Sequence, residues 1–257
     1  MVAKYGPLIG EMTWTELRDA VADGYGIVLP IGATEQHGPH LPLTTDCLLP
    51  LAVAKGVAGR TRTLVATPIY YGCISKPLSG GGQGFPGTTS IRGGTLTTLV
   101  KDLVTEFIRS GFKCITLLTW HMENRGFVYE GADLAMREAA PTDARILSID
   151  SVLEAVDKRL IESMFPEDFP GWDVEHASII ETSMMLALYP DLVRTDRIRD
   201  DAAKRHPPYD MIPPSEDTIP ESGVLYRASL GTVEKGQRLY ELAVDALVAA
   251  ITTEFGD

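Results

Sequence analysis

Two short loops hold most of the residues in this chain whose types and spacing could do chemistry. In the run 31–46, Ile-Gly-Ala-Thr-Glu-Gln-His-Gly-Pro-His-Leu-Pro-Leu-Thr-Thr-Asp, Glu35 and His37 are two positions apart, so in extended backbone their side chains leave the same face. Pro39 and Pro42 stiffen the loop that returns Asp46 toward them. A second run, Trp120-His121-Met122-Glu123-Asn124, repeats the alternation with His121 and Glu123. Either pair alone reads as ordinary polar loop residues. Together the loops offer imidazole and carboxylate ligands without a thiolate, more than one tetrahedral zinc site takes up. Two divalent ions sharing a bridging carboxylate use Glu35, His37, Asp46, His121 and Glu123 and leave room for water. Such a donor set suits zinc or manganese. His40 fits packing or support of the ligands better than ligation.

Both loops need rigid elements behind them. The apolar runs 26–31 and 113–119 read as buried strands, each ending at a ligand loop. Helices are expected over 16–23, 46–59, 95–110 and 126–139, with further strands over 63–69 and 145–149. This alternation is that of an α/β fold, a mostly parallel sheet with helices on both faces. The ligand loops then lie at strand carboxyl ends, where open α/β sheets bind their ligands. The second half is less regular: a loop over 164–176 opens a helix through Tyr189, 197–222 reads as a surface excursion, and 232–255 as a final helix. With 257 residues and no linker or internal repeat, a single domain over 1–257 is expected.

Composition narrows the partners. The formal charge of -12 and the lack of a basic cluster exclude nucleic acid and anionic membrane as main partners. No run approaches the roughly 18 apolar residues of a membrane span, and the first residues show no secretory pattern. Cys47, Cys73 and Cys114 lack metal-site or disulfide-framework spacing, which suits a reducing compartment, so a cytoplasmic protein is expected.

Two further segments carry candidate residues. The glycine-rich stretch 79–89 lacks a phosphate-loop pattern and reads either as a tight bend or as a loop whose backbone and Ser79 line the site. Glu175 and His176, at a helix start beside Trp172, read either as a cap or as a mobile loop bringing an acid/base group and an aromatic wall. Glu181 on that helix is read as core-facing or as a support for the ligands.

At the ligand loops the chain resembles the creatininase family, the creatinine amidohydrolases, whose pattern is Glu-x-His-Gly-Pro-His-Leu-Pro with a later Asp and a second-loop His. The likeness runs nearly end to end. Within the family, His121-x-Glu123-Asn124 is the creatininase version of the second loop, where many members carry His-Gly-Gly-Asn. Further matches are Ser79-Gly80-Gly81-Gly82, the segment 85–90, the segment 171–176 and the segment 181–193. The resemblance implies a three-layer α/β/α sandwich and two divalent ions per subunit, zinc or manganese. Glu35, Asp46 and His121 would hold one ion; His37, the bridging Asp46 and Glu123 would hold the other. It implies that Ser79, Trp172, Asp173 and His176 face the substrate, that Trp172 acts as a flap, and that subunits form a homohexamer. The chain departs from the pattern at Met122 (Tyr), Thr119-Trp120 (Asn-Gly), Ile149-Asp150 (Tyr-Trp) and Ala177-Ser178 (Gly-Gly). The metal set is kept and part of the substrate wall, Met122 included, is changed.

The expected activity is therefore metal-dependent hydrolysis of a small cyclic amide or amidine, with creatinine as default substrate. Metal-activated hydroxide would attack the ring carbonyl. His176 would protonate the leaving nitrogen, Glu175 would orient it and Glu123 would assist proton transfer. Alternatives are another lactam, imide or formamide, a metal-binding assembly protein with little activity, or phosphoester hydrolysis. The last would need a cation near the ligand loops, for which Arg125 is the one to check.

Overall fold

The computed structural model of the chain describes residues 7–156, 161–165 and 171–256, without the side chains of Glu154, Ala155 and Asp173. Strand β1 (Gly26–Ile31) is buried along its whole length. Ile27, Leu29 and Ile31 point into one hydrophobic layer and Val28 into the other, the period-two alternation of a central strand covered on both faces. Helix α1 (Trp14–Ala22) precedes it, opened by Thr13 and Glu16 in a reciprocal capping box. The chain continues through α2 (Thr45–Ala58), β2 (Thr63–Val65), α3 (Gly93–Arg109), β3 (Cys114–Thr119), α4 (Arg125–Glu138), β4 (Arg145–Ile149), α5 (Ile179–Leu188) and α6 (Val233–Phe255).

The four strands form one parallel sheet in the order β2-β1-β3-β4. Apolar residues of α1, α3 and α4 cover one face, and those of α2, α5 and α6 the other, which gives the expected three-layer α/β/α sandwich. From β1 the chain first adds β2 on one side and then β3 on the other. The strand order thus reverses between β1 and β3, and at such a switch point two loops diverge and leave a crevice. The two loops that diverge here are those carrying Glu35–His37 and His121–Glu123.

The observed helices begin and end within a residue or two of the expected ones over the first half. The strand predicted over 63–69 is shorter, ending at Val65. The Ala66 N–H still donates to the Val28 carbonyl at 2.8 Å, Pro68 has no N–H to continue the ladder, and the next bond to β1 is from the Ile69 N–H to the Pro30 carbonyl at 3.0 Å. In the second half, residues 166–170 of the predicted loop lie outside the described residues. The segment 197–222 carries no α-helix among the described residues, in keeping with a surface excursion.

Candidate metal and active site

Glycine makes the site possible at the end of β1. A Cβ on Gly32 would lie 2.3 Å from the Asp46 carbonyl oxygen, so only glycine lets the first turn of α2 press against the strand end and deliver Asp46. Asn124 ties the second loop to the first: its Nδ2 donates to the Gly32 carbonyl at 2.9 Å, and its Oδ1 accepts from the Cys73 N–H at 2.8 Å. The Gly80–Gly82 backbone closes over Glu35, with a Cβ on Gly82 falling 2.6 Å from Glu35 Oε1. Of the two readings of the glycine-rich stretch, the structure shows the loop that lines the site.

Two clusters result. The ligand atoms of Glu35, Asp46 and His121 lie within 4.8 Å of one another, as do those of His37, His176 and Glu181. Asp46 stands between the clusters, with Oδ1 3.1 Å from His37 Nε2 and Oδ2 3.3 Å from His121 Nδ1. The imidazoles are held from behind by carbonyls, which can only accept a hydrogen bond. His37 Nδ1 lies 3.0 Å from the Glu35 carbonyl and His121 Nε2 lies 3.1 Å from the Cys73 carbonyl. Each therefore presents its other nitrogen as a ligand.

The donor set fits divalent metal ions. Both Glu35 carboxylate oxygens and Asp46 Oδ2 are buried without a well-aligned hydrogen bond among the described residues. Burying such charge costs several kcal/mol unless a cation compensates it. Electrostatics agree. Burial acts to raise the Asp46 and Glu35 pKa values, but neighbouring imidazoles outweigh it and hold both carboxyls low. Burial acts to lower the His37 and His121 values, yet the carboxylates around them hold both well above the ordinary imidazole range. The cluster is built for positive charge, so protons and metal ions compete for the same nitrogens. Loading the metal-free protein with zinc or manganese at pH 7 should therefore release protons, and affinity should rise with pH toward the raised histidine values. Calorimetric titration in two buffers of different ionisation enthalpy measures the release; identical heats in both would contradict the assignment.

Glu123 and Glu181 flank the two clusters from different sides. Glu123 was expected beside His37 and Asp46. It lines the inner pocket together with Asp46, its Oε2 lies 3.5 Å from His121 Nε2, and its Oε1 accepts from the Ser79 hydroxyl and from the Lys76 N–H at 3.2 Å. Glu181, expected in the core or behind the ligands, has Oε2 3.6 Å from His37 Nε2. The separation is one of sequence distance: Glu181 enters from α5, which packs beneath the first loop only once the sandwich is formed. Glu175 shows the capping alternative. Its carboxylate accepts from the Ser178 hydroxyl and from the N–H groups of Ile180 (2.6 Å) and Glu181 (3.4 Å) at the start of α5. Burial and the charge of Glu181 nonetheless push its pKa up to about 8.

His176 is buried against the first loop. Its Nε2 lies 2.8 Å from the Gln36 carbonyl, which leaves Nδ1 for chemistry, and its ring centroid is 4.4 Å from that of His37. Gln36 is a positioning residue that the motifs did not single out: its Nε2 also donates to the Gly80 and Gly223 carbonyls, both at 2.9 Å. Ala177, next to His176, is buried in the left-handed region at φ 54°, a strained conformation for a residue with a side chain. A small inner pocket of about 30 Å³ is lined by Asp46, Ser79, Met122, Glu123, Trp172 and His176, so the predicted substrate-facing residues Ser79, Met122 and Trp172 converge there. The side chain of Asp173 lies outside the described residues. His40 is buried, with Nε2 2.8 Å from Thr182 Oγ1 and a pKa lowered to about 4 by burial and then by His37, in keeping with packing.

Imidazoles and carboxylates around a small pocket, at the switch point of a parallel α/β sheet, define the build of a metal-dependent hydrolase. The family model for creatininase (creatinine amidohydrolase) matches residues 10–251, and the chain belongs to the creatininase family. It is 43% identical over 251 residues to the creatinine amidohydrolase of Pseudomonas putida, covering 96% of each chain. It is 31% identical to a mycofactocin precursor peptide peptidase of Mycobacterium tuberculosis, over 95% of this chain and 92% of that protein. A crystal structure of creatinine amidohydrolase superposes with a TM-score of 0.94 at 42% identity, covering 99% of this chain and 100% of the other. A creatininase structure designated Mn and a mutant one designated Zn-Zn type match with the same TM-score. The chain is accordingly a hydrolase acting on C–N bonds.

Proposed function

We propose that this protein hydrolyses a small cyclic amide or amidine, creatinine to creatine first among them, using two divalent ions per subunit. The observation that carries the reading is Asp46 standing between two imidazole–carboxylate clusters beside a pocket that also holds His176, Ser79 and Trp172. The identity to the Pseudomonas putida creatinine amidohydrolase supports the substrate. Glu35, Asp46 and His121 would hold one ion. His37 and Asp46 would hold the second, with the carboxylates of Glu123 and Glu181, which line the inner pocket, beside it. Ions bound there supply a Lewis acid for the carbonyl oxygen and a water acidic enough to ionise near neutral pH.

The protein's own groups do the rest. Glu123, fixed by the Ser79 hydroxyl, takes the proton given up by the attacking water. His176 delivers a proton to the ring nitrogen as its bond to the carbonyl carbon breaks. Glu175, by capping α5, positions His176 next to it. Trp172 closes over the ring. Trp172→Ala should lower kcat/KM by about 10–100-fold through loss of substrate positioning while bound metal stays unchanged. Loss of metal in that variant would overturn the flap assignment.

The changed residues at Met122, Trp120 and Ile149 favour a second substrate within the same chemistry, another lactam, imide or formamide. The deciding experiment strips the enzyme, reloads it with manganese or zinc, and assays creatinine beside such rings. Metal-dependent opening of creatinine supports the first substrate; opening of another ring alone moves specificity to those three residues. A homohexamer accompanies this reading through the family resemblance, and a single domain over 1–257 and a cytoplasmic location through the length and composition of the chain. Among the described residues, no helix is long and apolar enough to cross a membrane.

A further inference from the structure

We propose that the reaction pocket opens into a second compartment that holds a carboxylate-bearing substituent of the substrate, recognised by Arg125 and Lys76. The inference rests on the hydrolase reading above and specifies its substrate class. A cavity of about 550 Å³ adjoins the inner pocket of about 30 Å³, and Ser79, Met122 and Glu123 line both. The inner pocket has room for the reacting atoms. The outer one has the volume of a site for a small organic ligand, far more than an unsubstituted five-membered ring fills. A substrate with its scissile bond at Glu123 and His176 therefore extends its remaining part past Met122 into the outer cavity.

The walls of that cavity indicate what the extension carries. Leu78 and Tyr209 give it apolar surface, Lys76 and Arg125 give it positive charge, and Glu123 and Asp210 line it as carboxylates. Arg125 opens α4 directly after the second ligand loop and is 39% exposed, with Nε 3.4 Å from Asp150 Oδ2, a contact that orients the guanidinium. Lys76 precedes the Ser79 turn, its Nζ 3.8 Å from Asp210 Oδ2, too far for a direct hydrogen bond. Glu123 is engaged by Ser79 and His121. The chain has 35 acidic and 23 basic residues, so its overall field repels anions, and Lys76 and Arg125, each within reach of a carboxylate partner, are the side chains at the mouth of the site that can turn toward an anion. A guanidinium fork matches a carboxylate in shape and charge.

The test compares metal-loaded enzyme on creatinine and on two analogues whose ring substituent ends in a carboxylate or in the isosteric carboxamide. The carboxylate analogue should have the higher kcat/KM, by about tenfold, carried by KM. In Arg125→Gln the ratio of the two analogues should fall to near one, and Arg125→Lys should keep part of it. Circular dichroism and Tm establish that the variants fold. If Arg125→Gln does not fold, Lys76→Gln, at an exposed position, should lower the ratio by about threefold. A wild-type ratio near one, or a ratio unchanged in the folded variants, overturns the compartment. Turnover of creatinine with a ratio near one overturns this inference alone. Failure of all three rings to open overturns both this inference and creatinine as the substrate.

Discussion

Asp46→Asn should release both metal ions and lower kcat/KM by about 10³-fold or more. Asp46 stands between the two clusters, 3.1 Å from His37 Nε2 and 3.3 Å from His121 Nδ1. An amide keeps its shape but loses the charge and one of the two anionic oxygens, so neither ion retains a full donor set. Glu123→Gln and Glu181→Gln each touch only the flank of the second ion, and each should cost at most one of the two. Elemental analysis after dialysis, with circular dichroism to show the fold intact, separates the cases. Two ions retained by Asp46→Asn would mean that the carboxylate does not bridge.

His176→Gln should lower kcat by about 10²–10⁴-fold, the usual contribution of a positioned general acid, with bound metal retained. His176 is fixed at Nε2 by the Gln36 carbonyl and faces the inner pocket, which suits proton delivery. It is also close enough to His37 and Glu181 to be a ligand. The two roles separate on metal content. Full metal with slow turnover is the expected outcome, whereas loss of one ion would make His176 a ligand and require another proton donor. Glutamine keeps the hydrogen-bonding capacity toward Gln36, so Gly223 and Gly80, which Gln36 also holds, should stay in place.

Much of this arrangement could be read directly from local sequence. The alternation of apolar strands and amphipathic helices set the parallel sheet, because period-two and period-3.6 patterns are local properties of backbone geometry. Glu35, His37 and Asp46 share one loop, and His121 and Glu123 another, so their nearness within each loop follows from spacing alone. The strand over 63–69 was overextended because Pro68 interrupts a ladder whose apolar pattern carries on past it.

Which carboxylate stands beside which imidazole was decided only by the tertiary structure. Glu181 is 144 positions from His37, and only the packing of α5 beneath the first loop brings the two within 3.6 Å. Glu123 is held by the Ser79 hydroxyl, a partner from a loop that no local pattern joins to the second ligand loop. Glu175 could be an acid/base group or a cap until the start of α5 supplied the N–H groups that bind it. Sequence by itself determined the donor types, the loops that carry them and the sheet that brings those loops together. The pairing of donors, the shape of the pocket and the cations at its mouth arise from contacts between segments far apart in the chain, which short-range spacing does not encode.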